Sequence, residues 1–325
     1  MHIGAMTSGG DSPGMNACLR AVVRTALHHG ARATGIMRGF IGVAGPEAEL
    51  VPLSTESVSN ILQRGGSFLK CGRCPEMHTE EGQERAAQRL READIDVFIG
   101  IGGNGTLQGL LALLPHWDGG VILLPGTIDN DCGGTDYTIG YDTALNTALE
   151  AIDRIRDTAE AFDRVFLVEV MGRNCGALAV GAALAGGAEE VIVPETPTDL
   201  EELAGRIIKG QKAGRGTSIV VIAENDDAGS APQIAEWLKS HHNLETRVCV
   251  LGHVQRGGSP TAQDRILASR LGAYAVGVAL ETQGRIAAAI GVRDDKVVTT
   301  PLAEAAKQAP CASAELIELV NELSR

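Results

Sequence analysis

HIGAMTSGGDSPGMNACLRAVVRTALHH, residues 2–29, holds three patterns in succession. Residues 3–6 are a short apolar run. Residues 7–16, Thr-Ser-Gly-Gly-Asp-Ser-Pro-Gly-Met-Asn, mix glycines with small polar side chains. A stretch rich in Ala, Val and Leu follows. A brief apolar run that ends in a glycine turn and feeds a longer amphipathic stretch reads as a strand–loop–helix unit. The run has no polar alternation, so it suits a parallel strand covered on both faces. Adjacent glycines let backbone N–H groups approach an anion, and the following helix adds its positive end. A tight turn with no ligand is the plainer reading of the same residues.

The pattern recurs along the chain. Short runs rich in Val and Ile fall at 97–101, 121–124, 165–170, 191–193, 218–223 and 248–251. Helical patterns lie between them, at 144–158, 200–212 and 260–280 among others. Strand–helix alternation of this kind predicts an α/β fold with mainly parallel sheets flanked by helices. The runs are followed by glycine-rich or acidic turns at 7–14, 102–105, 126–131, 171–176, 224–228 and 252–258. In open α/β sheets ligands sit beyond the carboxyl ends of strands, so the turns suggest one shared cleft between two similar lobes. No Pro-rich linker marks a border.

Composition narrows the function. The chain has 325 residues, a prior of about two domains. Only 3% of residues are aromatic while Gly reaches 41, so the core rests on aliphatic side chains. A net charge of −13 disfavours non-specific nucleic-acid binding, which needs a basic face. It leaves room for anionic small ligands at a local Arg cluster. No long uncharged apolar run suggests a membrane span. The first residues lack the layout of a secretory signal. An odd number of dispersed cysteines, 7, fits reduced thiols and a cytoplasmic location.

Three further motifs carry chemistry. Ile101-Gly102-Gly103-Asn104-Gly105-Thr106 is a second glycine turn between strand and helix. Its bare backbone suits phosphate oxygens, and Thr106 can donate to a phosphate or cap the helix. No Lys follows, so it is not a Walker loop. Pro125-Gly126-Thr127-Ile128-Asp129-Asn130-Asp131 places two carboxylates on one face of an extended backbone. They suit a general base, a metal site, or a solvated acidic turn. Arg164, Arg173, Arg247 and Arg256, with His253, fall near strand ends. Converging guanidinium forks bind phosphate or carboxylate, whereas single ones more often form surface ion pairs. Cys71-Gly72-Arg73-Cys74 lacks a second ligand pair at zinc spacing.

These motifs, with "RGGS" (64–67), "TDYTIG" (135–140), "AIDRIRDTA" (151–159), "VEVMGR" (168–173) and "LGHVQRGGSP" (251–260), occur in one order over most of the chain. The chain thereby resembles the bacterial ATP-dependent 6-phosphofructokinases. The resemblance implies transfer of the terminal phosphoryl group of ATP to O1 of fructose 6-phosphate, with Mg²⁺. It implies ATP contacts at Gly10, Arg73, Cys74, Gly103, Asn104, Gly105 and Thr106. Asp129 would be the base, with Thr127 and Arg173 stabilising the transferred group. Thr127, Asp129, Asp131, Met171, Gly172, Arg173 and Glu224 would lie along the sugar. Arg164, Arg247, His253 and Arg256 would hold its phosphate, Arg164 and Arg247 reaching in from a neighbouring subunit of a homotetramer. Residues 1–140 with a return segment 256–303 would form the ATP lobe. Residues 141–255 with 304–325 would form the sugar-phosphate lobe.

Relatives that use pyrophosphate carry Asp in place of Gly105 and Lys in place of Gly126, so the resemblance implies ATP as donor. An effector site for ADP or phosphoenolpyruvate is implied at Arg20, Arg24, Arg156, Glu189 and Arg215. Basic residues usual near Thr55 and Gly216 are missing. Asn104 stands where the family usually carries a carboxylate tied to Mg²⁺. This predicts weaker use of the metal or slower turnover rather than a different reaction.

Overall fold

The computed structural model describes residues 1–162, 164–214, 216–308 and 312–324. In chain order it contains β1 (His2–Thr7), α1 (Met15–His28), β2 (Arg32–Ile36), α2 (Ile41–Ala44), β3 (Leu50–Pro52), α3 (Glu80–Glu92), β4 (Val97–Gly102), α4 (Asn104–Leu113), β5 (Gly120–Pro125) and α5 (Tyr141–Glu160). There follow β6 (Val165–Val170), α6 (Ala177–Gly186), β7 (Glu190–Ile192), α7 (Leu200–Lys212), β8 (Ser218–Ala223), α8 (Ala231–His242), β9 (Thr246–Val250), α9 (Ala262–Glu281), β10 (Ala287–Arg293), β11 (Lys296–Pro301), α10 (Leu302–Ala305) and α11 (Ala314–Leu323). Internal contacts divide the chain into two units. The first comprises Met1–Thr127, Asp131–Thr143 and Arg256–Ala309; the second comprises Ile128–Asn130, Ala144–Gln255 and Pro310–Arg325.

The first unit is built on a seven-stranded sheet of order β11-β10-β5-β4-β1-β2-β3. β1, β2, β4, β5 and β10 run parallel, and β3 and β11 close the two edges antiparallel. Every residue of β1, β4 and β5 is buried, because helices cover both faces. Ile3 and Ala5 point to one side, where α1 and α9 supply Leu19, Val22, Leu271 and Ala275. Met6 points to the other, where α3 and α4 supply Leu90, Leu107 and Leu110. Three aromatic rings meet on that second face. Phe98 makes edge contacts with Phe40 and Trp117, at centroid distances of 6.0 and 6.4 Å.

The second unit has four parallel strands in the order β7-β8-β6-β9. The two units share a layered plan but differ in size. Its sheet packs aliphatic residues of α7 and α8, among them Leu203, Ile207, Ile234 and Leu238. Two of its helices start with side-chain caps. Asp199 accepts from the N–H groups of Glu201 and Glu202 at the head of α7. Ser230 and Gln233 form a reciprocal capping box at α8.

The starts of α5 and α9 cap each other. Asp264, in the first turn of α9, accepts from the backbone N–H groups of Gly140 and Thr143, both at 2.8 Å. The Thr143 hydroxyl also donates to it. In return the Thr261 hydroxyl donates to Asp142, and its N–H donates to Thr143 Oγ1 at 3.0 Å. Asp264 is 1% exposed, and burial pushes its carboxyl above the ordinary range while the hydrogen bonds pull it down. No helix among the described residues is long and apolar enough to cross a membrane.

Candidate active site

The carboxyl ends of β5, β4 and β1 lie side by side in the first unit. Beyond them come the turns that start at Gly126, Gly103 and Ser8. They are laced by backbone: Ser8 N–H donates to the Ile101 carbonyl and Gly126 N–H to the Gly102 carbonyl, each at 3.0 Å. The strand order reverses between β1 and β4, with β2 on one side and β5 on the other, so the two glycine turns flank a topological switch point.

The helices after these two turns start without a side-chain cap, as α2 and α6 also do. α1 begins at Gly14 and α4 at Gly103, and neither start has a side-chain cap or an acidic residue in its first turn. Met15 N–H reaches the Ser12 carbonyl at 3.4 Å and Thr106 N–H that of Gly103 at 2.9 Å. No side chain caps the first N–H groups of either helix, which suits an anion. Thr106 does not cap α4. It lies inside the first turn, 1% exposed, with its hydroxyl packed against Gly102. A Cβ on Gly102 would lie 2.2 Å from Thr106 Oγ1 and 2.5 Å from the Ser8 carbonyl oxygen. Gly102 is thus required by packing. Gly105 is different: nothing lies within 4 Å of the Cβ it lacks. The Asn104 side chain donates from Nδ2 to the Asp131 carbonyl at 3.0 Å, joining the second glycine turn to the 125–131 loop.

Gly10 lies against Arg256, whose guanidinium carbon is 3.3 Å from the Cβ position of the glycine. Arg256 is thus stationed on the first glycine turn. Arg73 and Cys74 follow a loop held by Asn16, a residue the sequence reading passed over. Asn16 is 2% exposed, donates to the carbonyls of Arg64 and Gly65, and accepts from Phe68 N–H at 2.6 Å. Its signal was a lone amide on the apolar face of α1. Burial pushes the Cys74 thiol up to about 11 and raises that of Cys71, so both stay protonated at neutral pH. Among the described residues no three His, Cys, Asp or Glu side chains form a metal-binding group.

In the second unit Asp129 is 4% exposed, and its Oδ2 lies 3.6 Å from Nε of Arg173. Arg173 is the third residue past β6, within a sharp turn. Gly172 has φ +142° and Arg173 φ +53°, and Cys175 N–H closes onto the Gly172 carbonyl at 3.0 Å. A Cβ on Gly172 would be 2.4 Å from the Cys175 carbonyl, so no other residue fits there. Glu224, just past the adjacent strand β8, accepts from Arg173 N–H at 3.0 Å. Met171, Gly172, Arg173, Glu224 and Asp129 thus gather in this unit. Gln255 joins them, buried and bonded to Met171 N–H, and was also missed because a lone Gln carries no periodic signal. His253 stands exposed in the same 3₁₀ turn, Gly252–Arg256.

Arg164 and Arg247 do not join that group. Arg164 immediately precedes β6, and Arg247 pairs with Phe166 near the start of that strand. Met171 follows the other end of β6. Six strand residues at a rise of about 3.3 Å put roughly 20 Å between them. Within this chain, then, Arg164 and Arg247, the two arginines that the resemblance assigns to a neighbouring subunit, lie apart from the turn that carries Arg173. Arg164 lies over the Phe162 ring at 4.5 Å, and Arg247 approaches Glu245 at 3.9 Å. Of the residues expected to bind an effector, Arg156 and Glu189 meet at 3.6 Å. Arg20 and Arg24 lie one turn apart on α1, in the first unit. Arg215 lies outside the described residues.

Comparison with known proteins bears on this arrangement. The phosphofructokinase family profile matches residues 2–279. The chain is 49% identical over 323 residues to ATP-dependent 6-phosphofructokinase 1 of Thermus thermophilus, covering 99% of both chains. It is 45% identical to ATP-dependent 6-phosphofructokinase of Bacillus subtilis, again over 99% of both. Among solved structures, the phosphofructokinase of Saccharomyces cerevisiae superposes with a TM-score of 0.86 at 34% identity. That match covers 99% of this chain and 48% of the yeast chain, so this chain spans about half the yeast length. On motif order, fold and full-length likeness alike, the chain belongs to the phosphofructokinase family.

Proposed function

We propose that this chain transfers the terminal phosphoryl group of ATP to O1 of fructose 6-phosphate, giving fructose 1,6-bisphosphate and ADP, as the names of its relatives suggest. The observation that carries the reading is the buried Asp129 carboxylate 3.6 Å from Arg173. Asp129 takes the proton of the sugar hydroxyl as O1 attacks the terminal phosphorus. The bond from that phosphorus to the bridging oxygen of ADP breaks, and that oxygen keeps the electron pair. Arg173 and Thr127 face the charge that spreads over the transferred group. Little covalent chemistry is asked of the protein, so positioning and charge neutralisation dominate.

ATP binds through Gly10, Arg73, Cys74, Gly103, Asn104, Gly105 and Thr106. Met171, Gly172 and Glu224 hold the sugar, and Arg256 and His253 its phosphate. Mg²⁺ fits a site with few side-chain ligands, because it keeps its waters and takes oxygens from substrate phosphates. Asp129, Asp131 and the Asn104 amide oxygen would hold it, and it would screen the phosphate charge. Arg164 and Arg247 serve the sugar phosphate of a neighbouring copy in a homotetramer. Their station at the far ends of their strands supports this. ADP or phosphoenolpyruvate would bind at Arg20, Arg24, Arg156, Glu189 and Arg215, and the enzyme works in the cytoplasm.

The test is an assay of the purified chain with fructose 6-phosphate and Mg²⁺, comparing donors. ATP should give the higher kcat/KM. No bisphosphate, or a preference for pyrophosphate, overturns the reading. Sedimentation should give a mass about four times the 33.9 kDa chain. A monomer that still saturates with fructose 6-phosphate removes the neighbouring-copy role. Flat titrations with ADP and phosphoenolpyruvate remove the effector role.

A further inference from the structure

Gln255 is the last residue of its unit before the chain continues, at Arg256, into the other. It is 0% exposed. Its Oε1 accepts the backbone N–H of Met171 at 2.9 Å. Its Nε2 is buried with no hydrogen-bond partner among the described residues. Burying a donor without a partner is unfavourable, so packing alone would favour an apolar side chain of equal length. What the amide supplies and an apolar side chain cannot is the acceptor for Met171. Its orientation follows: reversed, two N–H groups would face each other.

The group it holds belongs to no ordinary stretch of backbone. Met171 opens the turn in which Gly172 and Arg173 both have positive φ. A non-glycine residue in that region is strained, and such strain persists where the surroundings over-determine it. Two side chains from other strand ends grip this turn. Glu224 accepts from Arg173 N–H on one side, and Gln255 from Met171 N–H on the other. Together they leave the turn little freedom to relax toward ordinary φ values.

We propose that Gln255 is the positioning residue of the 171–173 turn, its carbonyl oxygen setting the backbone from which Met171, Gly172 and Arg173 meet fructose 6-phosphate. The proposal rests on the sugar-phosphate reading of that turn and deepens it. Gln255 touches no reacting atom; it acts through Met171.

The experiment compares Gln255→Met, equal in length without the acceptor, with Gln255→Glu, which keeps an acceptor oxygen. Steady-state constants for both substrates are measured together with hydrogen exchange at the Met171 amide. In Gln255→Met the KM for fructose 6-phosphate should rise about tenfold or more, with the KM for ATP within about twofold. Exchange at Met171 should quicken by a similar factor. In Gln255→Glu the Met171 amide should stay protected. A fructose 6-phosphate KM unmoved by Gln255→Met, or an equal rise in both KM values, overturns the proposal. So does loss of protection in Gln255→Glu, which decides the matter even if Gln255→Met does not fold. A wild-type chain that makes no bisphosphate, yet loses Met171 protection only in Gln255→Met, overturns the substrate half and supports the grip on the turn.

Discussion

In the first unit the turns after β1 and β4 present backbone; in the second, the turn after β6 presents side chains from a backbone that other side chains hold. At Gly103 and Gly105 the helix start has no side-chain cap, and what it offers a ligand is the peptide N–H itself. At Asp129 and Arg173 the groups offered are a carboxylate and a guanidinium, and the backbone of the 171–173 turn is held by Glu224 and Gln255. The two designs fail in opposite ways. A backbone cradle is spoiled by adding atoms, a side-chain constellation by removing them.

The largest expected effect removes a group from the side-chain half. Asp129→Asn keeps the shape and removes the proposed base. The kcat should fall on the order of 10²- to 10⁴-fold, with the KM for fructose 6-phosphate little changed. Thermal stability should change little, because Asn keeps the shape and the guanidinium of Arg173 is half-exposed. A loss of less than about tenfold would mean that proton removal is shared, and the contrast would weaken.

Asp264 tests the converse, a side chain of the first unit that serves the scaffold. Asp264→Asn leaves one of its donors facing an NH₂ group, at a cost of about 1–3 kcal/mol in unfolding free energy. The kcat at moderate temperature should persist. Its titration gives a second signature. A folded pKa above the unfolded one means that the folded state holds the proton more tightly. That contribution is full below the ordinary carboxylate range and is lost as pH rises through the folded value. Wild-type stability from urea unfolding should fall across that window, and this part of the slope should vanish in the Asn variant. Equal slopes would show that Asp264 does not titrate there.

Adding one methyl group separates two kinds of glycine. Gly105→Ala meets nothing in the protein and should stabilise α4 by up to about 0.5–1 kcal/mol. The KM for ATP should nevertheless rise, by about tenfold if the new methyl costs the bound nucleotide some 1.4 kcal/mol. Gly102→Ala should instead lose stability, since its Cβ collides with Thr106 and the Ser8 carbonyl. If Gly105→Ala leaves ATP affinity intact, the bare start of α4 is not a nucleotide contact.

The same contrast explains what could be read in advance. A backbone cradle is local, so SGGDSPG and GGNGT announced themselves, as did the buried strands before them. The runs at 165–170 and 218–223 coincide with β6 and β8. β2, β10, β11 and the three-residue β3 went unread. RATGI and AAAIGVR contain too few β-branched residues, and KVVTTP lies half-exposed at a sheet edge. Asp129 stood out by spacing, but its meeting with Arg173 joins residues far apart in sequence, which only the resemblance foretold. That Arg164 and Arg247 sit at the wrong ends of their strands for Arg173 needed the register of β6 with β9.

Asn104 sits where the two designs meet: a side chain inside the backbone cradle. Its position suggests a metal ligand that has lost its charge, yet its Nδ2 is engaged, donating to the Asp131 carbonyl at 3.0 Å. Asn104→Asp therefore has opposed consequences. A carboxylate restores a charge toward Mg²⁺, a contact worth about 1.5–3 kcal/mol when charge-assisted, and it favours the N-terminus of α4 by some tenths more. It also sets an acceptor against the Asp131 carbonyl and forfeits a neutral hydrogen bond of about 0.5–1.5 kcal/mol. Asn104 is exposed, so the forfeited bond belongs near the low end of that range. The net expectation is a lower Mg²⁺ requirement and a gain in kcat/KM of less than about tenfold, with a slightly lower melting midpoint. Titration of activity against Mg²⁺, beside a melting curve, reads the two separately. An unchanged Mg²⁺ midpoint with a lowered melting point would make Asn104 a tie for the 125–131 loop and nothing else. The reverse pattern would make it a metal contact that this chain holds in a weakened form.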